Sequence, residues 1–144
     1  MPSIYQQIVM RVEAALIGAT PAGDSVFRDR TVPITREETP CINVRRVREQ
    51  KEPVSRAGDF AVFTVNVCVH VRGEPWPDVA DPIAVQVHST LCADQQLAQL
   101  VASVRNSGAE WEDKDADESA GCLTLEYQFR YTVRASDITN SIIL

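Results

Sequence analysis

Two stretches of the chain alternate strictly between apolar and other residues. In DFAVFTVNVCVHVR, Asp59 to Arg72, the residues Ala61, Phe63, Val65, Val67, Val69 and Val71 share one face, and Phe60, Val62, Thr64, Asn66, Cys68, His70 and Arg72 share the other. In CLTLEYQFRYTVR, Cys122 to Arg134, Leu123, Leu125, Tyr127, Phe129, Tyr131 and Val133 oppose Thr124, Glu126, Gln128, Arg130, Thr132 and Arg134. A period of two sends successive side chains to opposite faces of a strand, and β-branched and aromatic residues suit that pleated surface. Both segments therefore predict long strands with one apolar face that must be buried. The second face of the first strand begins apolar and ends polar, so its far end is expected to meet solvent, a partner chain or a lumen.

Helical spacing occurs in two other segments. Ile4, Ile8, Val12, Ala15 and Leu16 form a stripe in PSIYQQIVMRVEAALIG, with Ser3 as N-cap, Gln6 completing a capping-box pattern and Gly18 as the stop. Asp81 followed by Pro82 reads as an N-cap and first helical residue for Ile83, Val87 and Leu91, after a turn in GEPWPDVADP. A helical turn or short strand follows the break at Ala93, around Leu97, Leu100, Val101 and Val104. Shorter strands are expected at SVF and at TPCINVRRV, and REQKEPVSRAG, residues 48–58, reads as an exposed loop. Residues 135–144 lack periodicity, although they end on the apolar SIIL, and no structure is assigned to them. They are expected to be flexible or to touch another subunit.

The order of elements predicts one α+β domain over residues 1–134. It is a mixed, largely antiparallel sheet of four to five strands with two main helices packed on one face, which buries all three apolar surfaces at once. A length of 144 residues is sufficient for such a core without disulfides or metals as staples. The formal net charge of −6 argues against general binding to nucleic-acid phosphates. The four cysteines, Cys41, Cys68, Cys92 and Cys122, have none of the close spacings of zinc or redox motifs. Cys68 and Cys122 fall within strand-like runs, as small hydrophobes do. With no signal peptide read at the N-terminus, the expected compartment is the reducing cytoplasm. No apolar run approaches the roughly 20 residues that span a bilayer.

The densest candidate chemistry is EWEDKDADESAG, with six carboxylates and one lysine between Glu110 and Glu118. Asp113, Asp115 and Asp117 alternate as they do at the start of a calcium loop. Counted from Asp113, however, the sixth position is Glu118 where glycine is needed and the twelfth is Thr124 where glutamate is needed. These three aspartates remain weak metal candidates, through a site shared by several chains, beside the simpler reading of a solvated loop joining two strands. Neither His70 nor His88 has a serine or cysteine partner in a recognised spacing, and no phosphate loop, nucleophile elbow or H-E-x-x-H occurs. The sequence therefore predicts no enzyme, no catalytic residue and no cofactor.

Charge is segregated along the chain. Arg45, Arg46, Arg48, Lys51 and Arg56, with Glu49 and Glu52, give residues 45–56 a net +3, whereas residues 110–118 carry −5. Such segments could meet within one chain, join neighbouring copies head to tail in a closed ring, or be merely solvated.

Four segments together resemble the tail-terminator, minor tail protein U-like, family of long-tailed bacteriophages: IYQQIVMRVEAAL, ETPCINVRRV, FTVNVCVHVRG leading into DVADPIAVQVHSTL, and WEDKDADESAGCLTLEYQFRYTVR. The likeness runs over residues 4–134 and rests on patterns of residue class. It implies a non-catalytic subunit of a hexameric ring on the finished tail tube, which stops tube polymerisation and receives the filled head. The implied partners are other copies of the chain, the tail tube protein and the head–tail connector, with DNA passing through the lumen without specific binding and with no membrane. The implied location is the virion tail, after assembly in the host cytoplasm, and a prophage origin fits. Interface candidates are Arg45, Arg46, Arg48, Lys51, Arg56, Glu112, Asp113, Asp115, Asp117, Glu118, Arg130 and Arg134. The alternatives are another head–tail joining or tube subunit, or a metal-dependent enzyme using residues 110–118.

Overall fold

The computed structural model describes residues 1–114 and 119–142. Helix α1 (Ile4–Leu16) leads to the short strand β1 (Val26–Arg28), a 3-10 turn at Arg36–Glu38, and the hairpin of β2 (Cys41–Pro53) with β3 (Gly58–Arg72). Helices α2 (Trp76–Ala93) and α3 (Gln95–Leu100) follow, then β4 (Ser103–Asp113), β5 (Ala120–Arg134) and β6 (Asp137–Ile142). The sheet order is β1-β2-β3-β5-β4, with β6 also on β5. Among the described residues only β1 with β2 is parallel; every other pair is antiparallel. The α+β class and the mixed, largely antiparallel sheet are as expected, with six strands rather than four or five and a third, short helix.

The apolar faces of β3 and β5 do what their alternation requires. Ala61, Phe63, Val65, Val67, Val69 and Val71 pack with Leu123, Tyr127, Phe129, Tyr131 and Val133 beneath Ile4, Ile8, Val12 and Leu16 of α1 and Ile83, Val87 and Leu91 of α2. Each large apolar side chain buried in this way contributes about 1.5–3 kcal/mol. Val9 joins the α1 stripe, and Ala15 is only partly buried. Ser3 caps α1 by accepting from the Gln6 amide at 3.1 Å, but the Gln6 side chain accepts from Arg46 instead of closing the box.

Four boundaries differ from the sequence reading, for related reasons. Helix α2 starts at Trp76, not at Asp81, because tertiary contacts supply its start: Trp76 is buried and its amide donates to Ser119 Oγ at 3.2 Å. Pro82 then lies inside the helix, where its missing N–H leaves the Asp78 carbonyl without a helical donor on a solvent-facing turn. Residues 48–53 are strand, not loop, paired with β3 as far as Pro53 opposite Asp59. Glu110 to Asp113 belong to β4, not to a loop, paired with Thr124 to Gly121. The C-terminal segment forms β6, which is tied to α1 by the Gln7 side chain donating to the Thr139 carbonyl at 2.7 Å. The added strand segments are exposed on both faces or lie along an edge, so no apolar period marks them.

Candidate functional site

All three helices lie on one side of the sheet, and the other side is open along β3, β5 and β4. Its residues Asn66, Cys68, His70, Thr124, Gln128 and Arg130 are half-buried because neighbouring strands shade one another. Asn66 Oδ1 and Arg130 Nε, both on this face, are buried with no hydrogen-bond partner among the described residues. The segment after β1 curls over one end of the face. Asn43 pins it by accepting from the Arg30 amide and donating to the Arg30 carbonyl, and Arg30 forks onto Glu38. Under this strap Cys41 is fully buried, which pushes its thiol up to about 11.

Between strap and sheet lies a cavity of about 710 Å³. Arg30, Arg45, Arg46, Arg72 and Lys114 line it, with Glu112 the carboxylate among the lining residues. Its floor carries Cys68 and Cys122. Thr124 Oγ1 donates to Cys68 Sγ at 3.8 Å and lies 3.7 Å from Cys122 Sγ, and His70 Nε2 lies 3.9 Å from Cys122 Sγ. The Cys68 thiol is lowered to about 7, chiefly by the hydrogen bond from Cys122 and then by that from Thr124 and the charges of Arg45 and Lys114, against the opposing effect of burial. The Cys122 thiol is raised correspondingly. Burial and the nearby charges of Lys114 and Arg30 lower His70 and so favour the neutral imidazole. Among the described residues no group of three or more His, Cys, Asp or Glu is arranged to hold a metal ion.

The sheet has two long free edges. Among the described residues, no strand pairs with the outer side of β2 beyond Val44, and none lies outside β4 along Ser103–Asp113. Each edge exposes an apolar side chain, Val47 at 42% at the β2 bulge and Trp111 at 59% on β4. Trp76 anchors the start of the acidic stretch, donating from Nε1 to Asp113 Oδ1 at 2.7 Å.

The charged candidates distribute along these edges. Arg45 faces the cavity, Arg46 pairs with Asp29 at 2.7 Å, Lys51 pairs with Glu49 at 3.3 Å, and Arg48 and Arg56 are exposed. Glu112 pairs with Lys114 at 3.1 Å, Arg130 donates to Gln128, and Arg134 is exposed opposite Gly58. Asp115, Asp117 and Glu118 lie outside the described residues. The register separates the two charged ends: Gly58 stands opposite Arg134, whereas Arg72 stands opposite Ala120. At about 3.3 Å per residue the β2–β3 turn is thus roughly 45 Å from the β4–β5 connection. Lys51 and Arg56 therefore cannot meet Glu112 or Asp113 within one chain, whereas Arg45 and Arg46 line the same cavity as Glu112.

No family model matches the chain, and neither does any curated protein. Among solved structures it is similar to a chain from the virion of native gene transfer agent (GTA) particle, at 18% identity and a TM-score of 0.56, covering 89% of this chain and 90% of that chain. The likeness is one of fold. It runs over nearly the full length of both chains. No helix among the described residues is long and apolar enough to cross a membrane. Sequence reasoning found the charged segments but missed the free edges, since edge status depends on which strands come to lie beside each other.

Proposed function

We propose that this chain is a structural virion subunit that closes into a hexameric ring on the tail tube, ends polymerisation there and offers the filled head its docking surface. The observation that carries this reading is the pair of free edges. Following the antiparallel pairs from β2 through β3 and β5 to β4, the outer strands run in opposite directions. Joining β4 of one copy to β2 of the next therefore continues the antiparallel alternation with every copy pointing the same way, as a head-to-tail ring requires. Long free edges offer unpaired backbone groups to another chain. The opposite charges of residues 45–56 and 110–118 add a long-range attraction between neighbouring copies, although in this register Glu110 to Asp113 of β4 lie level with the start of β2 and not with Arg48 or Lys51. The fold shared with a virion protein supports the same reading. In it the chain has no catalytic role, the tube protein and connector are its other partners, and DNA passes the lumen without specific contacts.

Light scattering on purified protein, with negative-stain microscopy, tests the proposal. Six times the monomer mass and single rings are expected, with the ring loosening as ionic strength rises. Continuous tubes would instead indicate a tube subunit. A monomer at every concentration and salt, or divalent-cation-dependent turnover of DNA, would sink the reading.

A further inference from the structure

We propose that Cys68 is a thiol–disulfide exchange site for small anionic disulfides, which it takes up as a persistent mixed disulfide inside the basic cavity. Three observations converge on this residue. Cys68 lines a cavity of about 710 Å³, room for a small peptide-sized molecule, whereas Cys41 is sealed under the strap. Its sulfur accepts from Thr124 Oγ1 and is backed by Cys122, so donors stabilise a thiolate there. The cavity walls are cationic in an otherwise acidic protein. Arg30 and Arg46 are held by Glu38 and Asp29, and Lys114 shares Glu112, but Arg45 stands beside the thiol with no carboxylate bound to it among the described residues. Such walls favour a reagent that carries negative charge.

The step balances without another reactant. The Cys68 thiolate attacks one sulfur of the incoming disulfide, that S–S bond breaks, a new S–S bond to Cys68 forms, and the other half leaves as a thiolate. The incoming disulfide is the oxidant. Cys122 does not complete a protein disulfide. Cys68 is paired with Thr124 and His70 with Cys122, so the two cysteines are diagonal neighbours. Diagonal positions lie about 7–8 Å apart, beyond the usual bridge span of about 4.4–6.8 Å. The adduct therefore remains on Cys68.

The test compares the dianionic 5,5′-dithiobis(2-nitrobenzoate) with neutral 2,2′-dithiodipyridine, followed by oxidised glutathione, each reaction being mapped by peptide mass spectrometry. Cys68 should be modified first by the dianion, about tenfold faster than the exposed Cys92 on α2. One adduct should be retained per chain, and glutathione should map to the same residue. Arg45→Gln should slow the dianion more than the neutral reagent, and Cys68→Ser should abolish the fast phase. Should Cys68→Ser fail to fold, mapping of the unaltered protein decides alone. The proposal is overturned by first modification at Cys92, by equal sensitivity of both reagents to Arg45→Gln, or by loss of two mass units as Cys68 and Cys122 bridge.

Discussion

Trp76 covers Gly121 so closely that a β-carbon on the glycine would come within 2.1 Å of the indole Cε2. The start of α2 and the start of β5 are thus fitted to each other, with the indole lying where a side chain would otherwise stand. Gly121→Ala should destabilise the fold by about 1–3 kcal/mol through overpacking, read as a lowered denaturation midpoint with unchanged m-value. Equal stability of the variant and the parent protein would mean that Trp76 is not seated there.

The same indole ties down part of the acidic stretch. Its Nε1 donates to Asp113, so Asp113 is not equivalent to the other two aspartates of the alternating series. Asp113→Ala should cost about 1 kcal/mol from the lost hydrogen bond and should shift the emission of a tryptophan. Reversal of the exposed Glu110 on β4 should leave stability within about 0.5 kcal/mol of the parent, as surface changes do. Denaturant titration of the two variants side by side makes the distinction. Reversal of Asp113 therefore mixes a folding effect with any assembly effect, because Asp113 is a strand residue bound to Trp76 and not part of a solvated loop.

Arg11 on α1 reaches Asp94 with a two-pronged fork at 2.8 and 2.8 Å, while Asp94 also caps α3 by accepting from the Leu97 amide at 3.0 Å. The Arg11 hydrogen bond is the main cause of the lowered Asp94 value. Because the folded value lies below the unfolded one, this stabilisation is complete above the ordinary aspartate range near about 3.9 and is lost as pH falls through the folded value. Asp94→Asn should lower stability at neutral pH, and its difference from the parent should shrink on acidification. Thermal unfolding of both proteins from pH 7 downward measures this; a constant difference would rule out the ionised pair as its source.

If copies join through β4 and β2, the exposed Trp111 is buried only in the assembly. Trp111→Ala should then leave monomer stability nearly unchanged and weaken the ring by about 2 kcal/mol or more, as aromatic anchors at interfaces do. Sedimentation over a concentration series gives the shift, and an unchanged association constant would move the interface elsewhere.

The long strands β3 and β5, both main helices and the α+β class were legible because each buries one face. Burial on one side writes a period of two or 3.6 directly into the residue order, as in Val65, Val67 and Val69 or Ile83, Val87 and Leu91. The charge difference between residues 45–56 and 110–118 was equally plain. The second half of β2, most of β4 and β6 were not legible: the first two are largely exposed on both faces, which removes the period, β6 buries no large apolar side chain, and the backbone bonds of all three come from distant partners. The same holds for the start of α2, set by Trp76 on Gly121 and Ser119 rather than by Asp81. Tertiary structure alone decided that Cys68 and Cys122 share a cavity floor 54 residues apart in sequence. It likewise decided that β2 and β4 end up as opposite free edges of one sheet. Strand order and register are choices among long-range pairings, and a residue string specifies the faces of its strands far more directly than the neighbours those strands find.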